Sequence, residues 1–229
     1  MSSTRRHGAV QFALGLAVVL TLTTTTSADV LWDQSNYIAG ESIMEHEFTD
    51  AVEMNTYVVT DVISTGWVVD SVSTYFTSFA GDWNGVTEAR LNVFSFVREA
   101  PLPLSSDDPT TGTVVPVTMT EMGDQTWKVT ASGLDLDLPA GAYWVGLTPL
   151  AGTITENRQE FRVAAPKIGY ESAFRNPGGV FGFTDWYYVH AFGGEWPNYD
   201  PAILIEGVPE PATASLLALG ALAVLRRRR

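Results

Sequence analysis

Between residues 29 and 207 an apolar–polar alternation with a period of two is common. Nowhere there does an apolar residue recur at i, i+3, i+4 and i+7 over three turns without Gly, Pro or a β-branched cluster intervening. Trp127 and Val129 alternate with Thr126, Lys128 and Thr130, and Leu134, Leu136 and Leu138 alternate with Asp135 and Asp137. Tyr143, Val145 and Leu147 follow after Pro139-Ala140-Gly141. Successive side chains of a strand point to opposite faces, so this pattern buries one face and wets the other. The three runs predict a meander of antiparallel strands. Further strands are predicted over residues 56–63, 68–79, 89–97, 113–120, 160–168, 181–191 and 202–206. Turn signals separate them, among them Ser64-Thr65-Gly66, Gly81-Asp82-Trp83-Asn84-Gly85, Asn176-Pro177-Gly178-Gly179 and Trp196-Pro197-Asn198. About ten strands at such spacing predict an all-β fold, an antiparallel two-sheet β-sandwich of jelly-roll type, with a closed barrel as the alternative.

Charge is distributed unevenly. The chain carries 13 Lys plus Arg against 26 Asp plus Glu, a formal charge of −13 that excludes the electrostatic footprint of a nucleic-acid binder. Arg5, Arg6 and Arg226 to Arg229 lie in the two tails, which leaves residues 29–207 with 7 basic against 25 acidic residues. There is no Cys. A disulfide framework, a redox pair, a thiolate nucleophile and a cysteine-ligated zinc site are all unavailable, so the body must hold itself by packing. Its length is above the range that requires covalent staples.

The two tails read as processing signals. Arg5, Arg6 and His7 precede an apolar run over residues 9–22, then threonines and Ser27, with the small Ala28 before Asp29. This is the order of a secretory signal peptide, predicted over residues 1–28 with cleavage after Ala28; an uncleaved anchoring helix is the alternative. At the other end Val208-Pro209-Glu210-Pro211 is followed by an uncharged run over residues 212–225, mostly Leu, Ala and Val, and by Arg226, Arg227, Arg228 and Arg229. Fourteen helical residues reach only about 21 Å, short of a hydrocarbon core of roughly 30 Å. Snorkelling arginines and local thinning cover part of that mismatch, and the positive-inside rule places the arginines in the cytoplasm and the body outside. The prolines break any helix extending upstream and predict an extended, accessible peptide before the membrane.

Residues 208–229 resemble the PEP-CTERM sorting signal of exported proteins in Gram-negative and related bacteria, with the Pro-Glu-Pro tripeptide, the short apolar helix over 212–225 and the basic cluster in that order. The resemblance implies an inner-membrane-anchored precursor and an exosortase-type membrane peptidase as partner. This enzyme would recognise Pro209, Glu210 and Pro211 and send the body, residues 29–207, to the cell surface or extracellular matrix. An unprocessed tail anchor is the alternative. Residues 134–149, with Leu138-Pro139-Ala140-Gly141-Ala142-Tyr143-Trp144, also look like a strand pair frequent in surface β-sandwich modules that carry this signal.

Catalytic chemistry finds little purchase. His46 and His190 are the only histidines of residues 29–207, so neither a His-rich metal site nor an HExxH helix can be built, and no GxSxG occurs. His46, between Glu45 and Glu47, reads as part of an exposed loop or edge strand, and His190 as a hydrogen-bonded core or rim residue. Asp135 and Asp137 share one strand face, but no DxDxDG loop is present and strand patterning already explains their spacing. No cofactor, metal site or catalytic residue is assigned.

Aromatics are the richest feature. Trp186, Tyr187, Tyr188, Trp196 and Tyr199 cluster around glycines and Pro197. Flat aromatic rings on β-sandwiches stack on sugars, which makes Trp186, Trp196 and Tyr199 a candidate platform for a polysaccharide, with burial of alternate members as the competing role. The sequence therefore predicts an exported, noncatalytic protein with a structural or adhesive role at the cell surface. A carbohydrate-binding module comes second and an extracellular hydrolase third.

Lys128 and Lys167 are the only lysines of this acidic body, so self-repulsion weakens its compact state at low ionic strength and screening relieves it. The thermal midpoint of the body is expected to rise between dilute buffer and about 0.5 M salt, where the Debye length falls well below 10 Å. An unchanged midpoint would mean that the charges are dispersed or paired.

Overall fold

The computed structural model describes residues 28–78, 86–97, 102–153, 160–169, 171–192 and 199–210. Fourteen strands are found among them: β1 (Asp29–Gln34), β2 (Ile38–Met44), β3 (Glu47–Phe48), β4 (Tyr57–Ser64), β5 (Trp67–Ser78), β6 (Glu88–Ser95), β7 (Thr113–Gly123), β8 (Thr126–Leu138), β9 (Gly141–Gly152), β10 (Glu160–Pro166), β11 (Ser172–Arg175), β12 (Tyr187–Tyr188), β13 (Tyr199–Pro201) and β14 (Ile203–Pro209). The fold is all-β. Its ladders are antiparallel except for the two-residue parallel pairing of β3 with β9.

Hydrogen bonding runs along one path, β1-β14-β5-β8-β7-β6-β9-β4-β11-β12, with β10 joining β5, β2 and β13 beside it. The path turns within β7. Residues 113–116 pair with β6, and residues 117–123 pair with β8. Pro116 stands at the change of partner; it has no N–H to give to a ladder, and the next N–H, of Val117, bonds to the Thr87 carbonyl at 2.9 Å. The main core lies between the two arms of the path. Val69, Val72 and Phe76 of β5, Val129 of β8 and Ile203 and Ile205 of β14 meet Val62 of β4, Leu91 of β6 and Val145 and Leu147 of β9.

Two predicted strands are one. Residues 126–130 and 134–138 both belong to β8, because Ser132-Gly133 does not reverse the chain but bulges it: β5 advances from Val69 to Ser71 while β8 spans Leu136 to Ser132. Gly133 and Asp135 take positive φ, 69° and 47°, to accommodate the extra residues. The hairpin from β7 to β8 turns on Asp124 and Gln125, both at positive φ as a tight two-residue turn requires. The strand predicted over residues 181–191 is also corrected. Only Tyr187–Tyr188 pair there, and a 3-10 turn follows over Val189–Phe192. Asn176 takes over the preceding segment: its N–H bonds to the Phe183 carbonyl, its Oδ1 accepts from Phe181 N–H, and its Nδ2 donates to the Glu53 and Asn55 carbonyls.

A buried ion pair fastens the edge of the structure. Glu45 and Arg162 are both fully buried, with Arg162 Nη1 2.9 Å from Glu45 Oε2. The other Glu45 oxygen accepts from Thr148 Oγ1 at 2.7 Å and from Val58 N–H at 3.4 Å, while Arg162 Nε donates to the Ala202 carbonyl at 2.8 Å. Burial pushes the Glu45 carboxyl above the ordinary carboxylate range, and Arg162 pulls against it. The neighbouring His46 is fully buried beside Phe48, with ring centroids 4.3 Å apart, and not in an exposed loop. Its segment is drawn inward by main-chain bonds with Thr56 and by the anchored Glu45. Glu45→Gln leaves the guanidinium without a counter-charge and is expected to cost about 3–5 kcal/mol, read from chemical denaturation of the body.

Candidate functional site: the end of the last strand

The sorting tripeptide begins inside the fold. β14 pairs with β5 from Ile203↔Thr74 to Val208↔Val68 and Pro209↔Trp67. One residue further, Glu210 N–H donates to the Gly66 carbonyl at 2.8 Å. The β4–β5 turn that receives it is internally tied: Ser64 Oγ donates to the Leu138 carbonyl at 2.7 Å and accepts from Gly66 N–H at 3.0 Å, and Trp67 Nε1 donates to Thr65 Oγ1. Gly66 sits at φ +100°, and a Cβ there would come within 3.0 Å of the Glu210 carboxylate. Gly207 is equally constrained, since a Cβ would lie 2.2 Å from the Val68 carbonyl oxygen at the bulge between Glu206 and Gly207. Pro209 and Glu210 are exposed in side chain while their backbone is held.

The peptide is thus extended, but it is not free-standing. The ladder runs past residue 207, where the sequence placed the end of the body, because Val208 and Pro209 continue to find partners on β5. On the other edge of β14, β1 starts at Asp29↔Gly207. The residue that follows the predicted signal-peptide cleavage therefore lies beside the residue that opens the sorting region. Pro211, Arg226, Arg227, Arg228 and Arg229 lie outside the described residues, as do the helix predicted over 212–225 and residues 1–27 of the predicted signal peptide.

The aromatic platform does not assemble as expected. Trp186 is only 4 % exposed, packed with Tyr57, Val59, Trp144 and Ala173. Its Nε1 donates to the Asp107 carbonyl at 2.9 Å, and the Arg175 guanidinium lies over its ring at 5.9 Å. A ring this deeply buried, with its N–H edge and one face engaged by the chain itself, offers no open face to a sugar. Tyr199 is half-buried against the cluster of Ile43, Val58, Ala164, Phe174 and Val189. Trp196 lies outside the described residues. Among the described residues Tyr187 is the exposed aromatic of this region, at 43 %, and Tyr188 stacks on His190 at 4.7 Å.

A group of charged residues that no sequence pattern announced gathers where β4, β11 and β13 meet the segment 167–171. Asp61 is fully buried and accepts from Glu171 N–H at 3.1 Å; Gly169 passes so close that a Cβ would overlap the Asp61 carboxylate. Glu171 Oε2 receives Lys167 Nζ at 3.2 Å and His190 Nδ1 at 2.8 Å, which makes His190 the rim histidine expected of it. Asp200 is fully buried, its Oδ2 accepting from Gln34 Nε2 at 3.0 Å. Burial raises the Asp200 carboxyl above its ordinary range, with Lys167 opposing and the Asp61 charge adding to the rise. Among the described residues no group of three or more His, Asp or Glu side chains is placed to hold a metal ion.

A family model matches the chain over residues 207–229, the PEP-CTERM protein-sorting motif. The chain carries this motif, which implies an exported, surface-sorted protein made as a membrane-anchored precursor, and signals of this kind are processed by exosortase. No curated protein matches the chain. Among the described residues no helix is long and apolar enough to cross a membrane.

Because the folded Asp200 holds its proton at pH values where an unfolded Asp is ionised, stability is gained as pH falls through the folded value and lost as pH rises through it. Asp200→Asn keeps an oxygen for Gln34 and removes the titration. The variant is expected to be at least as stable as the parent at pH 7 and to lose the parent's gain just above the ordinary Asp value of 3.8, as followed by urea denaturation across pH.

Proposed function

We propose that the body, residues 29–207, is a noncatalytic structural or adhesive module of the cell surface or extracellular matrix, delivered there by exosortase processing at Pro209-Glu210-Pro211. Its strands are taken to pack as a two-sheet sandwich of jelly-roll type. The observation that carries the reading is the continuity of the sorting motif with the body: the motif begins at Gly207 within β14, a strand hydrogen-bonded on both edges. Two further observations support a noncatalytic role. The buried carboxylates Glu45 and Asp61 are engaged by the chain's own N–H groups, and Glu45 also by Arg162. Glu47 is likewise taken by Arg90, whose Nε lies 2.7 Å from Glu47 Oε2.

Polysaccharide binding is the second reading, and the exposed Tyr187 beside Phe183, with ring centroids 5.0 Å apart, supports it in place of Trp186. An extracellular hydrolase comes third; no group in the described residues particularly favours it.

Glu210→Ala is expected to abolish surface retention with the thermal midpoint nearly unchanged, as followed by fractionating cells that express the parent and the variant. A variant that partitions as the parent does would overturn C-terminal processing. On a glycan array the purified body is expected to give no saturable signal; a Tyr187-dependent signal would favour the second reading.

A further inference from the structure

We infer that the end of β14 is a latch, and that Val208, Pro209 and Glu210 must unzip from β5 and the β4–β5 turn before a membrane peptidase can process the chain. The inference rests on the sorting reading and adds to it a step that the body controls.

Three observations lead there. First, the backbone from Val208 to Glu210 is occupied along one edge, by Val68, Trp67 and the Gly66 carbonyl. Enzymes and domains that read extended peptides take main-chain hydrogen bonds from them, and an edge already paired is closed to that mode. Second, there is almost no spacer. Glu210 is hydrogen-bonded to the turn, and the apolar run begins at Ala212, so Pro211 alone separates the folded body from the membrane segment. One extended residue spans only about 3.3–3.6 Å. With the latch closed, the sequence leaves a single residue between the Gly66 contact and the apolar run, too short an interval for a peptidase cleft to close around the tripeptide. Third, the ladder is easiest to open here. Among the described residues β1 stops pairing at Gly207, so residues 208–210 are paired there on one edge only, whereas residues 203–207 are held on both. Strand ends with partners on a single edge open before doubly paired segments.

The turn is shaped for this contact. Gly66 has room for the Glu210 carboxylate because it lacks a Cβ, and Ser64 holds the turn to the Leu138 carbonyl from below. The glutamate of the tripeptide is thereby both the residue that the peptidase is expected to read and the residue whose N–H closes the latch.

The absence of cysteine allows a direct test in the full-length chain. Val68 and Val208 are register partners, and such antiparallel pairs have Cα atoms about 4.5–5.5 Å apart, within the range a disulfide bridges. The double variant V68C/V208C and a variant with Gly-Ser-Gly-Ser inserted between Val208 and Pro209 are followed by pulse-chase in cells that contain an exosortase. Conversion of the precursor to the shorter form is the readout. The oxidised double variant is expected to persist at least tenfold longer than the same protein treated with reductant, and the spacer variant to be shortened several-fold faster than the parent. Equal rates for oxidised and reduced protein would overturn the latch. If the double variant stays uncut in both redox states, the spacer variant decides: acceleration supports the latch and a parental rate overturns it. A parent chain that is never shortened would instead overturn the sorting reading itself, and the latch with it.

Discussion

The Glu45–Arg162 pair is the interaction on which the rest of the fold leans. It sits wholly out of water, and its hydrogen bonds reach β4 through Val58, β9 through Thr148 and the chain just before β14 through Ala202. Five separate stretches of a disulfide-free chain, those of Glu45, Val58, Thr148, Arg162 and Ala202, are thereby held at one place by directional bonds. Taking two charges out of water is expensive, and a well-packed apolar pair in their place is often no less stable, so net stabilisation is a weak explanation for it. Its directionality matters more. Carboxylate and guanidinium accept few geometries, and a register slip in β10 would leave both charges buried and unmatched. The Phe76 ring, 5.6 Å from the guanidinium carbon, completes the enclosure.

What could be read from the sequence depended on whether a segment's partners were local. β4, β5, β6, β7, β9 and β14 were legible within a few residues because each is a run rich in β-branched and other apolar residues bounded by Gly, Pro or Ser. β1 and β2 were missed: β1 is an edge strand with little buried surface, and β2 carries Glu41 and Ser42 where a strand would show apolar residues. The two runs of alternation on either side of Ala131-Ser132-Gly133 form the single strand β8, because the long opposing strand β5 keeps both halves in one ladder. The aromatic run at 186–188 gave the opposite failure, since alternation there is overruled by the Asn176 network, a set of long-range side-chain bonds invisible to local pattern.

The candidate site was legible in identity and not in placement. Pro209-Glu210-Pro211 stands out from its residue types and order alone, but the pairing of Val208 and Pro209 with Val68 and Trp67 depends on a strand far away in the chain. Gly66 and Gly207 held the available signal, because Gly66 takes a positive φ beside the Glu210 side chain and Gly207 lies where a Cβ would meet the Val68 carbonyl, yet a glycine in a turn and a glycine two residues before a proline both have local explanations. The charged group around Asp61, Asp200 and Glu171 left no signal. Its members come from distant segments and share no spacing.

The central place of β14 also bears on the order in which the molecule is built. Synthesis delivers a chain in sequence order, so β1 and β5 exist long before the strand that lies between them. Until the last residues of the body arrive, β5 presents one unpaired margin and β1 has no partner for its ladder, a state prone to joining other chains. Joining the first strand to the last is also a contact of very high sequence separation, the kind that forms slowly. Closure of this sheet is therefore a late event that coincides with emergence of the C-terminal segment, and the newborn protein needs protection from its neighbours for nearly the whole of its synthesis.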